Sequence, residues 1–83
     1  MSTALFESLT NRDRAILRAV GSGTAELACS AQPDLFVDGR SCCDQGAVRH
    51  LARAGLIGPA VTGAIGQRVP AVLTPAGRAA LAA

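Results

Sequence analysis

Two short stretches decide the fold, Ala54-Gly55-Leu56-Ile57 and Leu73-Thr74-Pro75-Ala76-Gly77. Gly55 is placed to end a helix, because glycine readily adopts the left-handed conformation that closes a helix C-terminus. Thr74 and Pro75 are placed to begin one, because threonine caps helices and proline is favoured at the first helical position. The two stretches therefore predict a helix, an extended segment and a second helix in the C-terminal half.

The segment before Gly55 has the pattern of a helix, which we predict over 42–54. Val48 and Leu51 are about one turn apart, so their side chains lie on one face of that helix. The preceding residues, Ser41-Cys42-Cys43-Asp44, have the pattern of a capping box in which Asp replaces the usual Glu. A capped amphipathic helix is therefore expected to lead into the first of the two stretches.

The segment between the two stretches has the composition of a β-hairpin, which we predict over 59–70. Gly63 and Gly66 provide turn positions, and the valines on both sides of them favour strands. The helix that follows this hairpin is predicted to run through Leu81.

The first clear element of the N-terminal half is a helix predicted over 11–20. Thr10 and Asp13 form a capping-box variant at its start, and Gly21-Ser22-Gly23 ends it. Its apolar stripe consists of Ile16, Leu17 and Val20. A turn or a further helix is predicted over 4–9.

Residues 24–38 are predicted to form an additional β-hairpin. Polar and apolar residues roughly alternate over 24–29, and a compact apolar run occupies 35–37. The residues between them, Ala31-Gln32-Pro33-Asp34, have turn chemistry. The alternative is a helix over 24–30, as in an ordinary helix-turn-helix.

Length and composition fit one small α+β domain over 1–83, with a core of aliphatic residues, since only two of the 83 residues are aromatic. No apolar run approaches the roughly 20 residues that a membrane helix needs. The N-terminal residues lack the basic and then apolar pattern of a secretory signal. The expected location is the cytoplasm, with no membrane partner.

The net charge of +2 is distributed unevenly along the chain. Residues 1–40 carry four Arg and five acidic residues, whereas residues 41–83 carry four Arg and only Asp44. The second half therefore has a net charge of +3 and is the half expected to attract a polyanion. A mildly basic surface without a partner is the alternative.

The order of these motifs resembles the winged-helix regulators of the MarR and PadR type. In those families a recognition helix ends in a Gly-Leu-Ile-like element, a two-stranded wing follows, and a Leu-Thr-x-x-Gly-x-x-Leu motif opens the next helix. The match covers Ser41 to Leu81. The region 27–40 departs from the pattern, because Pro33 and Gly39 interrupt the second helix expected there.

The whole chain is also similar to small Cys-containing actinobacterial proteins that carry Leu35-Phe36-Val37-Asp38-Gly39 and Cys42-Cys43-Asp44-Gln45. Together the resemblances imply a winged helix with a three-helix core, an extra hairpin over 24–38 and a C-terminal wing over 59–70. The helix over 42–54 is then expected to enter the major groove of DNA as the recognition helix.

Four residues are candidates for contacts with double-stranded DNA. Gln45 and Arg49 share the polar face of the helix and are expected to read bases, since Gln pairs with adenine and Arg with guanine. Arg53 lies farther along the same face and is expected at a phosphate. Arg68, near the wing tip, is expected in the minor groove or on the backbone. Such proteins usually bind DNA as dimers, so a homodimer is the expected assembly.

The thiols raise a separate hypothesis. The candidate ligands of a metal site are Cys29, Cys42, Cys43 and His50. Three thiols and one imidazole suit tetrahedral zinc, although the chain has no Cys-x-x-Cys pair. A thiol- or zinc-responsive regulator is therefore one alternative, and small buried structural cysteines are the other.

No arrangement of residues indicates catalysis, because His50 lacks a serine or aspartate companion at a familiar spacing; we therefore expect no enzymatic activity. A protein–protein interaction module is the remaining alternative, since fold does not fix function. The apolar residues Leu5, Phe6 and Leu9 are candidates for covering a partner.

Overall fold

Three helices and five strands follow one another along residues 9–82, the part of the chain that this computed structural model describes. The elements are α1 (Asn11–Gly21), β1 (Ala25–Ala28), β2 (Leu35–Val37), β3 (Arg40–Ser41), α2 (Gln45–Arg53), β4 (Ile57–Pro59), β5 (Arg68–Leu73) and α3 (Pro75–Ala82). The strands form one antiparallel sheet in the order β3-β2-β1-β5-β4. The predicted α+β class is therefore confirmed. The turn or helix predicted over 4–9 lies, up to residue 8, outside the described residues.

Helix α1 begins as its capping residues predict. The Thr10 side chain accepts a hydrogen bond from the backbone N–H of Asp13, and the Asp13 carboxylate accepts one from the backbone N–H of Thr10. These two bonds satisfy backbone donors that the first helical turn leaves unpaired. Leu9, just before the cap, is buried in the core, so it is not available to a partner.

The hairpin predicted over 24–38 is present, and the alternative helix over 24–30 is wrong. Strands β1 and β2 pair with Leu27 opposite Leu35, and both leucines are buried. A second tight turn joins β2 to β3 through Asp38 and Gly39, which both have positive φ angles. A two-residue hairpin turn of type I′ requires positive φ at both central residues, and its twist matches that of the flanking strands. A three-stranded ribbon thus occupies the place where the resemblance implied a helix.

Helix α2 is shorter than the predicted 42–54, because it begins at Gln45. Asp44 is the N-cap: its carboxylate accepts a hydrogen bond from the backbone N–H of Ala47 at 2.9 Å. Ser41 belongs to β3, and the backbone N–H of Cys42 donates to the carbonyl of Leu35. The capping box expected at residues 41–44 is therefore not formed.

One face of the sheet packs against the helices to form the core. Burial alternates along β5, where Val69 and Ala71 are buried and their neighbours are exposed. The core consists of aliphatic residues from all three helices and from the sheet, Leu9, Ile16, Leu17, Val20, Ala25, Leu27, Leu35, Val48, Leu51, Leu56, Ile57, Ala71 and Ala80. The opposite face carries half-buried and exposed side chains, both polar and apolar, such as Glu26, Arg68 and Val72, as expected for an antiparallel sheet with one covered face.

The two stretches that open the sequence analysis meet in space. Thr74 Oγ1 donates to the carbonyl of Gly55 at 2.6 Å and accepts a hydrogen bond from the backbone N–H of Gly77. The backbone N–H of Thr74 donates to the carbonyl of Leu56. A side chain at Gly77 would collide with that same carbonyl. The motif around Thr74 therefore joins the end of α2 to the start of α3, with the β4–β5 hairpin between them.

Candidate nucleic-acid interface

Helix α2 turns its apolar face inward and presents a polar surface outward. Val48 and Leu51 are fully buried. His50 and Arg53 are exposed. Arg49 is half-buried and lines a pocket together with residues of the loop after β1. Residues spaced by three and four share a helix face, so Arg49 and Arg53 lie on one side of α2.

The guanidinium group of Arg49 is paired. Its Nη2 lies 2.8 Å from Oδ1 of Asp34, and the two side chains retain 38% and 45% of their exposure. Its Nε is buried and has no hydrogen-bond partner within the described part of the chain. Asp34 lies in the loop between β1 and β2. The extra hairpin therefore supplies the acidic partner of Arg49, one of the two residues predicted to read bases.

Arg49 and Arg53 both line a surface pocket of about 280 Å³ between α2, β4 and the loop after β1. Its other walls come mainly from apolar residues, among them Leu27, Pro33 and Ile57. The two arginines therefore converge on one concavity, which helix spacing alone does not predict.

Gln45 does not project into solvent. Its Oε1 accepts a hydrogen bond from the backbone N–H of Leu35 at 2.9 Å, and its Nε2 lies within hydrogen-bond distance of the carbonyls of Leu35 and Cys42 and of Ser41 Oγ. An amide nitrogen has two protons, so it donates to two of these three acceptors at a time. The side chain predicted to read bases instead ties the start of α2 to strand β2.

Arg68 lies at the first position of β5, and its guanidinium carbon is 3.6 Å from the centre of the Phe36 ring on β2. Strand β1 lies between β5 and β2, so the Arg68 side chain crosses β1 to reach Phe36. In the sheet, Arg68 pairs with Ala28 of β1. Such cation–π contacts stabilise by about 0.5–1 kcal/mol when exposed. Arg68 is thus held on the sheet face and not at the tip of the hairpin.

The Asp44 carboxyl caps the start of α2. The pKa of the Asp44 carboxyl lies below its ordinary value, chiefly because it accepts the backbone hydrogen bond from Ala47 and also because Arg12 lies beside it. The Arg12 Nη1 is 3.2 Å from Asp44 Oδ2, which links α1 to the cap of α2.

The four residues of the zinc hypothesis are not brought together. Cys29 follows β1, Cys42 packs against the core from before α2, Cys43 is exposed, and His50 lies on the outer face of α2. No group of three or more metal-binding side chains occurs among residues 9–82. Cys42 and Cys43 both precede the N-cap Asp44, so they lie outside helix α2.

The sequence analysis did not predict the contact of Arg68 with Phe36 or the exposed apolar loop between β4 and β5, whereas pairing of the candidate arginines with Asp34 is the arrangement that favours an interaction module or a structural role over DNA binding. Ile65 is 93% exposed and Val61 is 57% exposed. The segment Gly63-Ala64-Ile65-Gly66, with an isoleucine beside the glycine of a predicted hairpin, is a readable signal for this exposure. The partner of Phe36 comes from a distant part of the chain and leaves no local pattern.

No protein-family model, curated protein or solved structure matches this chain. Among residues 9–82, none of the helices has both the length and the apolar character needed to cross a membrane.

Proposed function

We propose that this protein is a winged-helix variant that binds double-stranded DNA. Helix α2 enters the major groove, and the β4–β5 hairpin acts as the wing on the flanking groove or backbone. The order of α2, hairpin and α3 agrees with the motif order that suggested this class. In place of the usual second helix, the ribbon of β2 and β3 supports the start of α2.

The outer face of α2 is the observation that carries the proposal. Arg53 and His50 are exposed, and Arg49 lies one turn before Arg53 on the same side of the helix. No acidic residue follows Asp44 in the sequence, and the acid that competes with phosphate on this face is Asp34, from the loop between β1 and β2.

Arg49 contacts DNA in this proposal by exchanging its ion-pair partner Asp34 for a group on the DNA. Its ion pair with Asp34 is partly exposed, and such pairs contribute about 1 kcal/mol or less. A guanine edge or a phosphate offers the same guanidinium a bidentate partner. Gln45 is omitted from the DNA surface, because its amide holds the backbone of Leu35.

The proposal is tested by fluorescence anisotropy with a labelled DNA duplex at several salt concentrations. We expect Arg53→Gln to weaken binding and to reduce the slope of log K against log salt by about 0.9, the value for one lost phosphate contact. Arg18→Gln is the matched control, since Arg18 is exposed and belongs to α1, outside the proposed DNA-binding elements. Equal slopes for the wild type and both variants, or no binding at low salt, contradict the proposal.

A protein–protein interaction module is the second candidate, and the exposure of Val61 and Ile65 favours it. Exposed aliphatic side chains at a loop tip are suited to insertion into an apolar pocket of a partner. Ile65→Ser should abolish self-association, as measured by sedimentation equilibrium, if this tip is the contact between two copies. Unchanged sedimentation of wild type and variant as monomers argues against that contact.

A further inference from the structure

The outer face of the sheet, the side turned away from the helices, carries a patch of apolar and charged side chains. We define this outer patch by the residues of β1, β2 and β5 that point outward, Glu26, Ala28, Phe36, Arg68, Pro70 and Val72. We infer that the outer patch binds a second copy of the chain in a two-fold symmetric contact. This inference goes beyond DNA binding, because the patch lies on the sheet face opposite the helices.

Phe36 distinguishes the patch from an ordinary solvated sheet face. It is the one aromatic residue among residues 9–82, and it lies outside the aliphatic core. Arg68 stacks on its ring, with the guanidinium carbon 3.6 Å from the ring centre. Pro70 is exposed and Val72 retains 41% of its exposure, so apolar surface continues on β5. Aromatic residues and arginine are enriched at protein–protein interfaces relative to the rest of the surface.

The charges of the patch indicate the kind of partner that covers it. Glu26 is directly opposite Phe36 in the register of β1 and β2, so both side chains lie on the same face. Neither of the two ion pairs described for residues 9–82 includes Glu26. With one acid and one base, the patch has no net charge to attract a polyanion such as DNA. It instead matches a surface that offers one base and one acid in return.

A second copy of the chain offers both charges. In a two-fold contact the same patch is used twice, so the group at one position meets the group at another position and the reverse. Strands β1 and β5 are neighbours, so a two-fold axis between them, parallel to the strands, brings β1 of each copy against β5 of the other. Glu26 of each copy then faces the strand that carries Arg68 of the other. Stacking on Phe36 uses the flat face of the Arg68 guanidinium and leaves N–H groups at its edge for a carboxylate.

The size of the face determines the expected strength of the dimer. Five strands about 4.8 Å apart span about 19 Å, and the longest strand, β5, has six residues at about 3.3 Å each. This face of about 19 by 20 Å is smaller than the roughly 800 Å² that each partner contributes to a standard interface. We therefore expect a weak dimer, with a Kd of about 10–500 µM.

Reversal of the two charges tests the contact. Sedimentation equilibrium of the full chain without DNA, at concentrations up to about 1 mM, covers the expected range. Glu26→Arg and Arg68→Glu should each weaken self-association by about tenfold or more, because each brings like charges together twice in a symmetric contact. An equimolar mixture of the two variants should associate more strongly than either variant alone, because each acid again meets a base.

Three further variants complete the experiment. Val72→Asp, at an exposed position of the same patch, should also weaken self-association, and it provides the test if a charge-reversed variant does not fold. Arg18→Glu is the control for a charge reversal outside the patch, and Ile65→Ser is the control for the loop between β4 and β5; both should associate like the wild type.

Four results would overturn the inference. They are a wild type that stays monomeric up to about 1 mM, unchanged association in the patch variants, a mixture no stronger than either charge-reversed variant alone, and loss of association in Ile65→Ser but not in Glu26→Arg. The samples contain no DNA, so these results are distinct from failure of the DNA proposal.

Discussion

Replacement of Gln45 by alanine should destabilise the protein far more than loss of a surface glutamine. The side chain bonds the backbone N–H of Leu35 and lies within reach of the carbonyls of Leu35 and Cys42. Leu35 is fully buried, so water does not readily replace the Gln45 oxygen that accepts the hydrogen bond from the Leu35 N–H. The ribbon that takes the place of a helix would also lose its main polar link to α2.

The magnitude follows from these bonds. A buried backbone donor left without a partner costs about 1–3 kcal/mol, and each further lost hydrogen bond costs about 1 kcal/mol. We therefore expect a decrease of about 2–4 kcal/mol in the free energy of unfolding. An 83-residue chain has a total of about 4–12 kcal/mol, at about 0.05–0.15 kcal/mol per residue. The loss is thus a large fraction of the stability.

Urea denaturation followed by circular dichroism measures this difference. Gln67→Ala is the matched control, because Gln67 Oε1 accepts one backbone hydrogen bond, from Ala64, in an exposed loop. We expect this control to cost about 1 kcal/mol or less. The assignment of Gln45 to the fold, and not to DNA, is refuted if the two variants lose equal stability.

Three further predictions concern other contacts. Gly77→Ala should lower the free energy of unfolding by about 1–3 kcal/mol or more in urea, because its methyl group meets the carbonyl of Leu56; unchanged stability contradicts that packing. Asp44 has a lowered pKa because it accepts a backbone hydrogen bond at the helix cap and lies beside Arg12, so its contribution is present above about pH 4 and is lost as pH falls through the folded pKa. The melting temperature of Asp44→Asn should therefore depend less on pH below about pH 4 than that of the wild type. An equal pH dependence of the two melting temperatures refutes this. Asp34→Asn should release Arg49 and raise the salt slope of DNA binding by about 0.9, whereas weaker binding shows that the ion pair positions the arginine.

Local signals in the sequence predict a large part of the fold. The caps at Thr10 and Thr74 depend on neighbours three residues away, so both helix starts are readable. Alternation and a turn at Pro33 predict the hairpin over 24–38 for the same reason. The start of α2 is misjudged, because Ser41 suits both a helix cap and a strand, and only pairing with β2 decides between them.

The candidate site is less predictable, because its contacts are long-range. Arg49 is correctly placed on the outer face of α2 by helix spacing, yet its partner Asp34 lies 15 residues earlier. Arg68 crosses a strand to reach Phe36, a contact that requires knowledge of the sheet order. Gln45 has a side chain suited to reading adenine, and nothing in the sequence indicates that the backbone of Leu35 uses it instead.

The most direct test of the central claim is a map of the DNA contact surface. The measurement is a titration of the ¹⁵N-labelled chain with a duplex of about 20 base pairs, roughly two helical turns, at low salt. The account predicts that amide shifts concentrate on the outer face of α2, at Gly46, His50 and Arg53, and in the loop between β4 and β5. Shifts confined to α1 or to the sheet face around Phe36, or no shifts at all, contradict it.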